Sequence, residues 1–477
     1  MTASTTSTSD ASPAAAPPTP RPRGDWFPQL LRRLHFFAGI LVGPFILVAA
    51  VSGALYALTP AIEQVVYAHE LQAPPTETRL TLAEQIRIAQ QHVDGDATLS
   101  AVRPAPEPGD TTRIMFAADG LGASESRAVF VDPGTGEIRG DLVAYGTSGA
   151  LPVRTWISTL HRTLHLGEFG RFYSELAASW LGIVAVAGLV LWAVRIRKTR
   201  AKRDLVRPAR GVRGYRRVFS WHASVGVWMV LGAVFLSATG ITWSAYAGQN
   251  VADLRAALGS ATPTITTTLG EAGEADDEHA GHHGAVGAPT GAANPATFDA
   301  VLAIAQRVNI DTGLIEISPP AEAGRAWTVR EIQTSFPTQV DAVAIDGNTM
   351  QVVDRIDFAD FPLLAKLSRW GIDLHMGSLF GLANQLVLFV LAAAIAAMVV
   401  LGYLMWWKRR PGRGTARMGA APRRGALREA PWWGLAAVGI GAVVLGIWLP
   451  FVGWTLLGFL LLDTVIGWRQ RRRGASG

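Results

Sequence analysis

Cysteine is absent from the 477 residues. That excludes disulfides, thiolate metal sites, Cys-ligated iron–sulfur clusters and covalently attached c-type haem. Charge is scarce: charged residues make up 17% of the chain and hydrophobic ones 49%, a balance too apolar for one soluble domain. It is missing altogether from 36–62, 176–194, 218–252, 374–407 and 431–462. About 20 apolar residues cross a hydrocarbon core, so each stretch predicts membrane-spanning helix. The last is broken by Pro450 and Gly453 in "IWLPFVGW". It reads as a hairpin of two short helices, roughly 432–448 and 452–468, giving six spans. Also lacking is any strand–GxGxxG–helix unit, so the chain is not expected to oxidise a nicotinamide cofactor itself.

Basic residues are abundant but confined. Of 43 Lys and Arg, 27 lie in 1–33, 195–217, 408–430 and 469–477, beside only Asp10, Asp25, Asp204 and Glu429. The positive-inside rule places these four segments in the cytoplasm and both large loops outside. The loops carry about twice as many acidic as basic residues, so the net +6 hides an asymmetry that points to membrane anchoring rather than nucleic acid. A multi-pass protein of the cytoplasmic membrane is expected, with both termini cytoplasmic. The Ser/Thr/Ala/Pro-rich start reads as disordered, and the first span as an uncleaved signal anchor.

The predicted layout is a disordered tail (1–25), TM1 (30–62), a first outward α/β module (63–155), an outer His motif with TM2 (156–197), and a basic loop (198–215). TM3 (216–247), a second outward module with a His-rich insert (248–365), an outer His motif with TM4 (366–408), a basic loop (409–430), the TM5–TM6 hairpin (431–468) and a basic tail (469–477) follow.

The chain is written twice. TM1 opens "RRLHFFAG" and TM3 "RRVFSWHASVG"; His35 lies 18 residues before the glycine of "SG" (Gly53), and His222 lies 18 before that of "TG" (Gly240). Each outer loop begins with a helix-like stretch, "TLAEQIRIAQQHV" or "TFDAVLAIAQRVN", and then alternates as strands do. Matching turns, "VFVDPGTGEI" and "VAIDGNTMQVV", align Asp132 with Asp346 and Thr135 with Thr349. "LHLGEFG" before TM2 is answered by "LHMGSLFG" before TM4, so His165 aligns with His375, and His161 aligns with Gly371.

Two histidines therefore fall at each of two levels, His35 with His222 inside and His165 with His375 outside. A lone interfacial histidine is more often a belt residue. Four at duplicated places point instead to function, because ionisable groups inside spans are costly. Facing imidazoles in a bundle suit bis-His ligation of b-type haem. Arg32, Arg33, Arg216 and Arg217 inside, and Arg162, Arg171 and Arg369 outside, could pair with haem carboxylates. His161 and His165, spaced i, i+4, would also suit zinc or iron on one helix face; His161 has no repeat partner and reads as a supporting or alternate ligand. The insert "DDEHAGHHG" reads either as a loose metal-binding tract or as a solvated linker. His69 and His92 carry no pattern, and Asp463 is expected near the inner interface.

"RRLHFFAG", "VDPGTGEI", "HRTLHLGEFGR", "WHASVG" and "LHMGSLFG" together, over roughly 30–410, resemble the PepSY-associated transmembrane family, which includes iron-regulated membrane proteins and ferric-siderophore reductases. The resemblance implies an integral membrane α-helical bundle, with four core TM helices from an internal duplication plus the C-terminal TM hairpin. Two extracytoplasmic α/β PepSY-like modules would complete it. It further implies two haem b groups on His35/His222 and His165/His375, each iron a bis-His metal site. The activity implied is transfer of electrons from quinol or a cytoplasmic flavoprotein to a ferric siderophore or another extracytoplasmic acceptor. A haem-free, membrane-anchored PepSY binding or regulatory protein, a protease inhibitor or transporter scaffold, is the alternative.

Overall fold

The computed structural model describes residues 26–93, 97–199, 202–269, 293–409, 422 and 424–475. The expected disordered tail and the three insert histidines (279, 282 and 283) lie outside the described residues.

The chain opens with α1 (Trp26–Leu41) and α2 (Gly43–Ala57), which together qualify as one membrane span bent by 61°. Pro44 explains the bend: it has no N–H to return to the Ile40 carbonyl. That carbonyl is instead satisfied by the Tyr403 hydroxyl at 2.6 Å, and the Tyr403 ring lies 3.3 Å from where a Cβ on Gly43 would sit. Short helices α3 (Thr59–Val66) and α4 (Ala68–Leu71) lead to α5 (Leu82–His92) and strands β1 (Thr98–Arg103), β2 (Thr112–Ala117), β3 (Glu125–Val131) and β4 (Ile138–Tyr145). The chain returns through α6 (Pro152–Thr163) to the long α7 (Gly167–Lys198).

The second half repeats this plan. α8 (Gly214–Thr242), α9 (Ala247–Ala257), α10 (Pro295–Arg307), β5 (Ile315–Ser318), β6 (Trp327–Glu331), β7 (Ala342–Ile345), β8 (Val352–Ile356), α11 (Leu363–Met376) and α12 (Gly381–Lys408) follow in turn. The chain closes with α13 (Trp432–Trp448) and α14 (Pro450–Ala475). Among the described residues α7, α8 and α12 are each long and apolar enough to cross a membrane, and the bent α1–α2 pair makes a fourth. α13 and the Pro450–Ile466 part of α14 are shorter apolar helices; the break between them is where Pro450 predicts it.

The outer modules are not separate. Their strands form one antiparallel sheet in the order β4-β3-β2-β1-β5-β6-β7-β8, joined where Val102 of β1 pairs with Ile317 of β5. Each four-stranded meander alone would leave β1 or β5 as a bare edge, and pairing the two edges removes that liability. α5 and α10 cover one face over a shared core of Ile86, Ala89, Val102, Ile114, Phe298, Val301, Ile317 and Val329. Thr81 and Glu84 form a capping box at the start of α5, and the Asp299 carboxylate of α10 accepts from the Leu82 and Ala83 N–H groups at 2.8 and 2.9 Å. The duplicated turns match in detail. Asp132 Oδ1 accepts from the Gly134 N–H at 2.8 Å, and Asp346 Oδ1 from the Asn348 N–H at 2.9 Å.

At the seam Arg103 of β1 meets Glu316 of β5 at 2.7 Å, both side chains 9% exposed. A second guanidinium, Arg113, lies beside Arg103, and burial with that neighbour pushes it down to about 9. Glu316 is therefore the anion that makes a buried cation tolerable. Glu316→Gln is expected to destabilise the chain by about 3 kcal/mol in detergent thermal unfolding, the cost typical of orphaning a buried charge. Glu168→Gln, whose side chain is 87% exposed beside Arg171, should leave the midpoint unchanged.

Candidate functional site

The helices bring imidazoles together at two levels. At the end remote from the sheet, His35 of α1 and His222 of α8 have ring centroids 6.2 Å apart at an interplanar angle of 78°. A metal bound by one nitrogen of each of two rings at about 2 Å would hold their centroids roughly 6 Å apart. His35 Nδ1 lies 3.0 Å from the Val184 carbonyl of α7. A carbonyl only accepts, so Nδ1 carries the proton and Nε2 keeps its lone pair. One turn further along α7, a Cβ on Gly188 would stand 3.0 Å from His35 Cε1, so glycine there lets the ring lie against the backbone. His222 stands beside the Met398 carbonyl of α12, and its buried Nδ1 has no hydrogen-bond partner.

At the sheet end the histidine that His375 senses is His161. The two imidazoles are within electrostatic reach of each other, and both are seated in the same way. His161 Nδ1 lies 3.0 Å from Ser52 Oγ, and His375 Nδ1 lies 2.5 Å from Thr239 Oγ1. Each hydroxyl has already given its single proton to its own helix, Ser52 to Val48 O at 2.7 Å and Thr239 to Phe235 O at 2.8 Å. With its proton so placed, each accepts from the imidazole, an arrangement that favours the Nδ1–H tautomer and leaves Nε2 as the free donor atom. An aromatic ring one turn on completes each seat. Tyr56 stacks on His161 with centroids 6.4 Å apart at 13°, and Trp243 meets His375 edge-on at 5.5 Å. Gly53 admits His161, whose Cε1 lies 3.1 Å from where a Cβ would be. The Tyr173 hydroxyl donates to the His161 carbonyl.

The structure thus brings His161, rather than the expected His165, toward His375. α6 ends at Thr163, because Leu164 turns left-handed (φ 53°). His165, also left-handed at φ 57°, is carried out of the helix onto an exposed loop and packs on Trp156 at 4.9 Å. α11 runs on to Met376 and is capped by Gly377 (φ 81°), so His375 stays helical. The same geometry removes the zinc reading, since His161 and His165 do not share a helix face. Among the described residues no three histidine, cysteine or carboxylate side chains gather as a metal site; the imidazoles come in twos.

The arginines are placed differently from expectation as well. Arg33, expected at the inner cofactor's carboxylates, is engaged by Asp463 at 2.5 Å and donates to the Pro422 carbonyl. Arg162 is exposed and bonds the Tyr145 hydroxyl at 3.1 Å, while Arg369 pairs with Asp373 at 2.9 Å. Arg32, Arg216 and Arg217 are exposed near the remote end. Ser52, Tyr56, Thr239 and Trp243 were not anticipated, yet "SGALY" and "TGITW" carry the hydroxyl, glycine and aromatic at equal spacing in both halves. His69 Nδ1 donates to the Arg139 carbonyl at 2.8 Å, and His92 pairs with Asp141 at 3.2 Å.

The chain matches the model of the PepSY-associated TM region over residues 32–409. It belongs to that family and is a multi-pass membrane protein with a sheet-containing region beyond the helices. No curated protein matches it.

Ser52→Ala and Thr239→Val each strand an imidazole N–H. Each is expected to cost about 1–3 kcal/mol in detergent thermal unfolding, the penalty of an unpaired buried donor. Thr159→Ala serves as the control, because the Thr159 hydroxyl bonds only its own helix, at Thr155 O, and should leave the midpoint near wild type.

Proposed function

We propose that the protein is a di-haem b electron-transfer protein that reduces an extracytoplasmic acceptor, ferric iron in a siderophore being the acceptor class its family favours. The observation that carries this reading is the pairing of imidazoles, three of which, His35, His161 and His375, have Nδ1 against a neighbouring oxygen and Nε2 left free. Packing alone places no premium on that tautomer. A ligand to iron requires it, because the nitrogen opposite the metal is the one a neighbouring group must hold.

His35 and His222 would hold one haem and His161 and His375 the other. When bound, haem supplies reversible one-electron exchange at each level. The chain's own residues do the rest. Val184, Ser52 and Thr239 fix ring orientation and the proton, and raise the basicity of the nitrogen opposite. Gly188 and Gly53 let the rings seat against the helix backbone. Tyr56 and Trp243 wall the sheet-end pair on one side. Two levels suit a hydrocarbon core ~30 Å thick, too wide for a single electron-transfer step. The donor would be membrane quinol or a cytoplasmic flavoprotein. Reduction of the ferric substrate would loosen its hard oxygen ligands, because Fe(II) has the lower charge density.

Alanine substitution tests the assignment. His35→Ala, His222→Ala, His161→Ala and His375→Ala are each expected to lower haem content from two per chain to one, by pyridine haemochrome assay against protein mass. His165→Ala should retain both. Full haem content in His161→Ala together with loss in His165→Ala would reverse the sheet-end assignment. Unchanged content in all five would leave the haem-free binding or regulatory protein as the surviving reading.

A further inference from the structure

The C-terminal hairpin lies beyond residue 409, where the family match ends, and nothing above gives it a task. Its contacts are not those of a passive anchor. Asp463 of α14 receives Arg33 at 2.5 Å and Arg424 at 3.2 Å. Phe459 packs on Phe37 with centroids 5.0 Å apart, and the Arg33 guanidinium lies over both rings. Thr455 accepts from Trp180 Nε1 of α7 at 2.9 Å. Asn250 of α9 donates to the Ile447 and Trp448 carbonyls at the hairpin's turn, both at 3.1 Å. Val452, 2% exposed, completes the core formed by Ala38, Val42, Ala177 and Trp180.

These grips fall on both sides of one residue. Arg33 and Phe37 bracket His35 on α1. Trp180 lies one turn before Val184, whose carbonyl holds the His35 ring, and two turns before Gly188, against which the ring rests. The hairpin thus ties down the helix that carries His35 and the helix that seats it.

We propose that the hairpin is an intramolecular clamp that seats His35, with Asp463 and Thr455 as positioning residues acting through Arg33 and Trp180. Its bearing on redox chemistry rests on the di-haem reading; the seating itself does not. A buried guanidinium held by carboxylate, carbonyl and two aromatic faces fixes the height of α1, and the indole–hydroxyl bond fixes α7 against α14.

The test uses the full chain in detergent. Carbethoxylation of individual histidines, read by mass spectrometry, reports seating with or without haem. Asp463→Asn and Thr455→Val are each expected to raise His35 modification severalfold while His161 and His375 stay protected, and Asp463→Glu to restore protection. In haem-containing protein the same two substitutions should shift the midpoint potential of one haem and leave the other in place. Wild-type protein without haem would defeat the di-haem reading, and the modification assay would still decide the clamp. Unchanged His35 reactivity in both variants overturns it. So does equal deprotection of all the paired histidines, which marks general loosening of the bundle.

Discussion

Everything in this molecule that bears on chemistry depends on which nitrogen of each paired imidazole carries its proton. At His35 the Val184 carbonyl can only accept, and at His161 and His375 the neighbouring hydroxyls favour the same arrangement. Val184 offers a carbonyl, and Ser52 and Thr239 offer oxygens whose only protons already bond the turn below. The acceptor character of these groups, rather than any feature of the histidines themselves, turns Nε2 toward whatever lies between the helices. The sheet-end seats are built alike from unlike residues, serine with tyrosine in one half and threonine with tryptophan in the other. Duplication has preserved the function of the seat and let its side chains drift.

Much of this was legible in the sequence. Charge-free stretches located α7, α8 and α12, and the "LPFVG" break separated α13 from α14. His35 and His222, found by their equal distance from "SG" and "TG", do lie together. At the sheet end the local likeness of "LHLG" to "LHMG" pairs His165 with His375 in the sequence, while helix geometry puts His165 on an exposed loop. Glycine marks the C-cap of α11, as the rule for helix ends predicts. In the first half, however, Leu164 rather than Gly167 takes the first left-handed position. The helix stops three residues short of the glycine, and His161 inherits the place that string matching assigned to His165. The equal spacing of hydroxyl, glycine and aromatic in "SGALY" and "TGITW" marks, in the sequence itself, the residues that lie against His161 and His375.

Long-range pairing was less accessible. Alternation in each outer loop predicts strands, but nothing local says that β1 will seek β5, 215 residues apart at Val102 and Ile317 by the register of the seam. The seam follows from an energetic requirement: two meanders, each with a bare edge, gain by sharing it. Likewise Arg33 reads from sequence as a free cation near a cofactor. Only the fold reveals that Asp463, distant in the chain, takes it. Buried charges find partners wherever the chain brings them, so residue type predicted the need and tertiary structure chose the partner.

The proposed di-haem reading rests on the paired imidazoles and on the handful of hydrogen bonds that seat them. The measurement that bears on it most directly is a dithionite-minus-oxidised difference spectrum of the purified wild-type chain, with haem quantified against protein. The account predicts b-type α-band absorbance from two haems per chain. Colourless protein after expression with ample haem would contradict it.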